Sequence, residues 1–166
     1  MGAETYRDVR ETDLEAMHDI ATHWSVVRQL GGWPWPPNRS FTATRSRPYR
    51  GDGFVWAICE EDRLIGTVAI TGTELGYFLD PRHHGRGVMS RAVHKAIQHG
   101  FEHLERDTLH ATTWIDNTAS HRLLTRAGFG HWQTRFERSK ARRLPVLTRH
   151  YRLERTHWDS LRDRAD

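Results

Sequence analysis

The chain has a single cysteine, Cys59, so it forms no intrachain disulfide and no cysteine-based zinc site, and a disulfide-stapled secreted scaffold is excluded. No apolar run approaches the roughly 18 residues that a membrane-spanning helix needs. The segment Met1–Arg10 is polar and includes Glu4 and Asp8, the wrong chemistry for a signal or transit peptide. A cytoplasmic protein with no membrane partner is therefore expected. Lysine is nearly absent too: only Lys95 and Lys140 occur, and the rest of the 25 basic residues are arginines.

What is present suffices for a core. In 166 residues, 37% are apolar, with seven Trp, six Phe and four Tyr. A chain of this length buries about 70% of its unfolded surface, so residues 1–166 are expected to form one domain. The net charge is +4, but it is uneven. Arg135, Arg138, Lys140, Arg142, Arg143, Arg149, Arg152 and Arg155 face only Glu137 and Glu154 in the same stretch. Such asymmetry fits an anionic partner, and it fits equally a solvated basic surface.

Thr5 to Val9 reads as a first strand, and Thr12 with Glu15 has the spacing of a capping box opening a helix over 13–24. The stretch 31–50 holds Pro34, Pro36, Pro37 and Pro48 beside Trp33 and Trp35 and reads as a loop. Strands follow at 54–59, 64–71 and 74–79, joined by short turns as an antiparallel meander. Met89, Ala92, Val93, Ala96, Ile97, Gly100, Phe101 and Leu104 form a helical stripe over 88–105. A strand at 108–114, a helix over 118–127 ended by Gly128, and strands at 130–137 and 145–154 complete a mixed α/β chain.

The loop between Leu79 and the long helix carries the chemistry. It contains Arg82, His83, His84, Gly85, Arg86 and Gly87, and a helix begins at once with Val88, Met89 and Ser90. Glycines let backbone approach a ligand closely, and the free amides of a helix N-terminus favour an anion. Arg82 and Arg86 add positive charge, and His83 and His84 lie beside the same place. The segment reads as a pyrophosphate cradle; the plainer alternative is that the glycines only shape the turn. It is no P-loop, because no lysine stands at the helix start, and Ser90 occupies the place of the third glycine of a dinucleotide fingerprint.

Arg82-x-x-Gly85-x-Gly87 resembles the acetyl-CoA signature of the GNAT superfamily of N-acetyltransferases. Leu75–Pro81 resembles the strand before that signature, and Trp114–Phe129, with Asn117, Ser120, Gly128 and Phe129, is similar to the RimJ/RimL-like branch. Trp33 to Pro36 and the closing Tyr151, Leu153 and Trp158 resemble the same branch. The resemblance implies a mixed, mostly antiparallel twisted sheet with flanking helices, whose central strands splay to admit acetyl-CoA as co-substrate. It implies that backbone at Phe78 and Leu79 bonds the pantetheine arm, that amides of 85–90 hold the pyrophosphate, and that Asn117 and Ser120 face the thioester.

The implied reaction is acetyl transfer to a primary amine. An α-amine has a pKa of about 7.7–8.0 and a lysine-like amine one near 10.4, so a general base matters more for the second. Glu74 is the candidate base, directly or through water; its alternative is an ordinary edge-strand carboxylate. The Leu79 amide is a candidate oxyanion donor. Family members commonly place a tyrosine where Leu124 stands, so Ser120 becomes the candidate proton donor, with Tyr77 and Tyr151 in reserve. His99 and His103 are spaced i,i+4 with no further ligand set, so no metal is expected. The preferred acceptor is a protein or peptide N-terminus, with Trp33 and Trp35 either forming its wall or, equally, filling the core. A small amine, antibiotic or toxin, a non-catalytic coenzyme A-binding module, and a homodimeric assembly stay open. Nucleic acid is not the expected partner, although an arginine-based nucleic-acid-binding protein is the remaining rival class.

Overall fold

The computed structural model of the chain describes residues 4–164. Seven strands make one sheet: β1 (Thr5–Asp8), β2 (Gly53–Glu60), β3 (Arg63–Thr71), β4 (Glu74–Leu79), β5 (Thr108–Trp114), β6 (Gly130–Ser139) and β7 (Leu144–Glu154). Their order is β1-β2-β3-β4-β5-β7-β6, and β4 and β5 are the one parallel pair. The mixed, mostly antiparallel sheet expected from the sequence is the sheet observed. Glu61 and Asp62 both take positive φ, the twist-matched geometry of a two-residue hairpin turn between β2 and β3.

Helices cover both faces. α4 (Val88–Glu102) buries Val88, Met89, Ala92, Val93, Ala96, Ile97 and Phe101 against Ile70, Leu75, Leu79 and Leu109, forming the main core. α5 (Thr118–Arg126) adds Leu124 to that core, and α6 (Arg155–Asp163) adds Trp158, whose ring lies 5.0 Å from Phe101. The opposite face carries α1 (Leu14–Ala21), α2 (Trp24–Val27) and α3 (Arg39–Arg45). There Met17, Ile20 and Val26 pack on Ala57, Cys59 and Leu64. Because side chains alternate along a strand, Leu75, Tyr77 and Leu79 of β4 face α4 while Glu74 and Phe78 face the other way.

Four details depart from the sequence expectation. The capping is done by Asp13 and not Thr12: its carboxylate accepts the Arg10 N–H at 2.8 Å, and residues 11–13 wind as a 3-10 turn before α1. The expected helix over 13–24 breaks after Ala21, where the Thr22 hydroxyl donates to the Asp19 carbonyl and His23 turns extended. Inside the proline-rich loop, Asn38 caps α3 by accepting the Phe41 N–H at 2.8 Å. α6 was not expected, because Trp158 is its one buried residue and leaves no stripe to read.

Asp13 also accepts two hydrogen bonds from Arg7, both at 2.8 Å, tying β1 to the turn before α1. Burial raises the Asp13 pKa, but the Arg7 hydrogen bonds and the Arg10 amide outweigh it and hold the carboxyl below its usual value. Asp13→Ala leaves the Arg7 guanidinium to Asp62 and the Asp8 carbonyl and is expected to cost roughly 2 kcal/mol, read as a lower urea midpoint. The contribution is fully present above the unfolded carboxyl value of about 3.9 and fades as pH falls through the lower folded value. The gap between parent and variant should therefore close in acid; a constant gap would contradict the assignment.

Candidate active site

β4 and β5 touch at one end only. Their single paired position is Glu74 with His110, reinforced by the His110 N–H donating to the Thr73 carbonyl at 2.9 Å. Beyond it, β4 follows β3 and β5 follows β7, and the two strands part. The direction of each backbone group follows from the ladders. The Asp80 N–H donates to the Ile65 carbonyl at 2.8 Å, so even-numbered residues of β4 exchange hydrogen bonds with β3. Tyr77 and Leu79 therefore turn their amides and carbonyls toward β5. The Ile115 N–H donates to the Leu147 carbonyl at 2.8 Å, which commits odd-numbered residues of β5 to β7 and turns Thr112 and Trp114 toward β4. The splay is thus edged by backbone groups with no strand opposite them. The backbone of Phe78 points to β3 and its ring packs 5.4 Å from Trp33, so Tyr77 and Leu79 hold the positions expected of Phe78 and Leu79.

The cradle lies at the open end. Gly85 and Gly87 have φ of +73° and +72°, the left-handed region that glycine enters without penalty. A Cβ at Gly85 would meet nothing within 4 Å, and one at Gly87 would meet only the tip of the Arg91 side chain. Gly87 is the N-cap of α4 and no side chain caps the helix, so the amides of Val88, Met89 and Ser90 stay available at the positive end of a 15-residue dipole. Two left-handed glycines flanking Arg86 add the concave amide arrangement that binds anions.

The arginines differ from the charge-based expectation. Arg82 donates to Asp80 through Nε and Nη2 at 2.6–2.9 Å and to Asp19 at 2.6 Å. Arg86 donates to Glu60 at 2.7 Å, and His83 lies 3.1 Å from the same carboxylate. These cations are matched by carboxylates, so the pull on an anion comes foremost from the amides. His84 turns away from the cradle and bonds the Leu79 carbonyl, 3.0 Å from its Nε2. That contact leaves no sequence signal, because it depends on which edge of β4 faces the gap.

Along the gap, the Tyr77 and Ser120 hydroxyls stand 2.5 Å apart. Asn117 caps α5, its Oδ1 accepting the Ser120 N–H at 3.1 Å. Burial pushes the Tyr77 phenol up to about 12, the Ser120 hydrogen bond opposing and Tyr151 adding to the rise. Tyr151 is itself engaged, 2.6 Å from His121 Nδ1, and Leu124 is sealed in the core. Glu74 stands at the closed end, exposed, about 17 Å of strand from Leu79 and on the face opposite α4. Thr113 Oγ1 and Trp114 Nε1, at the end of β5, are buried without partners. His99 and His103 stack 4.8 Å apart, with His99 edge-on to Phe54 and Trp56.

A strand splay beside a glycine-rich helix start leaves a cleft whose open end favours an anion, and comparison with known proteins gives the family. Residues 5–130 match the acetyltransferase (GNAT) domain, and the chain belongs to that family. It is 38% identical over 77 residues to the probable N-acetyltransferase YjcK of Bacillus subtilis (strain 168), covering 42% of each chain. It is 31% identical over 87 residues to the ribosomal-protein-serine acetyltransferase of Escherichia coli (strain K12), covering 48% of this chain and 49% of that one. The matched stretch thus spans about half the length of these curated relatives. Mycobacterium smegmatis RimJ, solved in complex with CoA-disulfide, shares the fold at a TM-score of 0.80 and 18% identity, over 93% of this chain and 83% of that one.

Gly87→Glu places a carboxylate where the cradle would meet pyrophosphate. Titration calorimetry is expected to show acetyl-CoA affinity lowered about tenfold or more. The fold should persist, since only the Arg91 tip must move and the left-handed φ costs about 1–2 kcal/mol. Unchanged affinity would contradict the cradle.

Proposed function

We propose that the chain is an acetyl-CoA-dependent N-acetyltransferase acting on a protein or peptide N-terminus. The observation that carries this reading is the row of backbone groups on Tyr77, Leu79 and Thr112 with no strand opposite them, the Leu79 carbonyl being held by His84, continuous with the capless start of α4. An extended arm bearing amides satisfies such a row as a strand would, and a pyrophosphate satisfies the helix start. Coenzyme A carries both, joined in that order, and its acetyl thioester supplies the activated acetyl group when bound.

The chain's own residues have three tasks. Amides of Gly87, Val88, Met89 and Ser90 hold the phosphates, with Gly85 giving them room and Arg82 and Arg86 bracing the loop. Gap-facing groups of Leu79 and Tyr77 fix the arm, and an amide among them receives the carbonyl oxygen as it gains charge. Asn117 and Ser120 attend the sulfur. Glu74, at the closed end of the gap, takes the proton of the amine directly or through water. The amine enters on the face opposite α4, where Thr112, Arg135 and Arg152 are exposed. An N-terminal amine is favoured because it needs little help to deprotonate, and because one relative acts on ribosomal-protein serine by its name.

The reading is tested by calorimetry with acetyl-CoA, followed by thiol release with peptides bearing a free or a blocked N-terminus. Release with the free terminus is expected. Absence of binding overturns the reading, and binding without release leaves a coenzyme A-binding module. In Glu74→Gln, kcat/KM is expected to fall by up to about 10²-fold below the amine pKa and by less above it, with acetyl-CoA affinity unchanged. A pH–rate profile parallel to the parent's would remove Glu74 from the mechanism. Trp35 packs 5.1 Å from Trp24, and its carbonyl accepts from Arg143 at 3.2 Å. Trp35→Ala is expected to raise acceptor KM alone; lost thermal stability at unchanged KM would make Trp35 packing only.

A further inference from the structure

Across the open part of the splay, one side-chain hydrogen bond among the described residues joins β4 to α5: the Tyr77 hydroxyl with the Ser120 hydroxyl, 2.5 Å apart. We propose that Tyr77 is the positioning residue that aims the Ser120 hydroxyl at the sulfur of the departing coenzyme A, an inference that rests on the acetyl-transfer reading above.

The direction of this bond follows from the chemistry of its two ends. A phenol is far more acidic than an aliphatic alcohol and is the better donor, whereas the serine oxygen is the better acceptor. Burial strengthens the asymmetry, since the Tyr77 proton is held to about pH 12 and never leaves under working conditions. Tyr77 therefore donates and Ser120 Oγ accepts. The Ser120 proton is left free to point elsewhere, and no carbonyl of the preceding turn takes it. Its backbone is fixed as well, because Asn117 Oδ1 accepts the Ser120 N–H. The other groups near the pair do not compete: Tyr151 is bonded to His121 Nδ1, and Leu124 is buried and apolar. What remains is a serine hydroxyl whose oxygen is anchored and whose hydrogen is uncommitted at the edge of the gap.

In the transfer step the amine nitrogen forms the new bond to the carbonyl carbon, and the carbon–sulfur bond breaks with its electron pair going to sulfur. The amine proton leaves through Glu74 or water. Ser120 O–H donates a hydrogen bond to the thiolate, which takes a proton from solvent on release, and Tyr77 keeps its own proton throughout. The thiolate needs little protonation but gains from an oriented donor, because a thiol of this kind ionises near pH 8.5. Without Tyr77 the serine hydroxyl loses the bond that anchors its oxygen, and the donor is present at the sulfur only part of the time.

Tyr77→Phe keeps the ring in the core and removes the donor. It is expected to lower kcat about tenfold, with acetyl-CoA Kd and acceptor KM within about twofold of the parent. The double variant with Ser120→Ala should be no slower than Ser120→Ala alone, since Tyr77 acts only through the serine. Ultraviolet absorbance of the thiolate provides a readout that packing does not move. The apparent pKa of coenzyme A bound to the enzyme should rise by about one unit in Tyr77→Phe, and equally in Ser120→Ala. An unmoved thiol titration in either variant, or losses that multiply in the double variant, overturns the proposal. The titration needs binding and not turnover, so the two readings separate. A chain that shows the thiol shift yet releases no product overturns acetyl transfer and leaves the Tyr77–Ser120 pair standing, and transfer without the shift does the reverse.

Discussion

Everything in this cleft depends on one constraint of strand geometry: the amide and carbonyl of a given residue leave the strand on the same edge. β4 commits its even-numbered residues to β3, and β5 commits its odd-numbered residues to β7. Their remaining edges face one another but meet only where Glu74 pairs with His110. Leaving such groups dry and unpaired costs about 1–3 kcal/mol each, so the gap must hold water or a chain with amides of its own. β4 then ends at Leu79, and the loop that follows delivers the start of α4 to the open end of the same gap. Under the proposed reading, the place for an extended arm and the place for its phosphates are consecutive because they are consecutive in the chain.

Charge plays a bracing role more than an attracting one. The basic stretch from Arg135 to Arg155 suggested an anionic partner, but much of it is used internally. Arg135 pairs with Glu137, and Arg143 and Arg149 donate to the carbonyls of Trp35 and Ile115. Arg142 reaches both oxygens of Asp116 at 2.8–2.9 Å, the Arg28 carbonyl and the Gln29 side chain. A planar fork with five donors can do this where a lysine cannot, which gives a physical sense to the scarcity of lysine. Asp116 immediately precedes Asn117, so Arg142 holds the strand end from which α5 and Ser120 are launched. Arg82 does the same on the other side, clamping Asp80 at the end of β4 to Asp19 in the last turn of α1.

The sheet, α4 and the glycine loop were legible in the sequence because each leaves a local trace: period-two strands, a period of 3.6 over 88–101, and glycines where a helix begins. What was hidden is whatever depends on pairing at a distance. The partner of Arg82 includes Asp19, 63 positions away, and no local pattern announces it. Whether Phe78 or Tyr77 faces the gap is decided by the register of β4 on β3, so a reading of β4 alone placed the contact one residue off the edge that opens. α3 was masked by the prolines before it and α6 by having a single buried anchor. Ser120 was legible as the residue one helical turn after Asn117; that its hydroxyl meets Tyr77 follows from folding alone.

The same alternation that sets the backbone edges also sorts the side chains. Glu74 and Phe78 stand on the face of α1 to α3, whereas Tyr77 stands on the face of α4 and α5 and reaches Ser120 there. Under the proposed chemistry this separates the two ends of the reaction: the amine is deprotonated on one side of the sheet and the sulfur is received on the other. The acetyl group sits between them in the gap, where a nucleophile can approach without crossing the leaving group. No side chain is needed to carry the acyl group in between. The one thiol, Cys59, is fully buried in β2, and burial pushes its pKa up, which makes it a poor relay. Under that reading, direct attack by the amine is the route that the two faces of β4 allow.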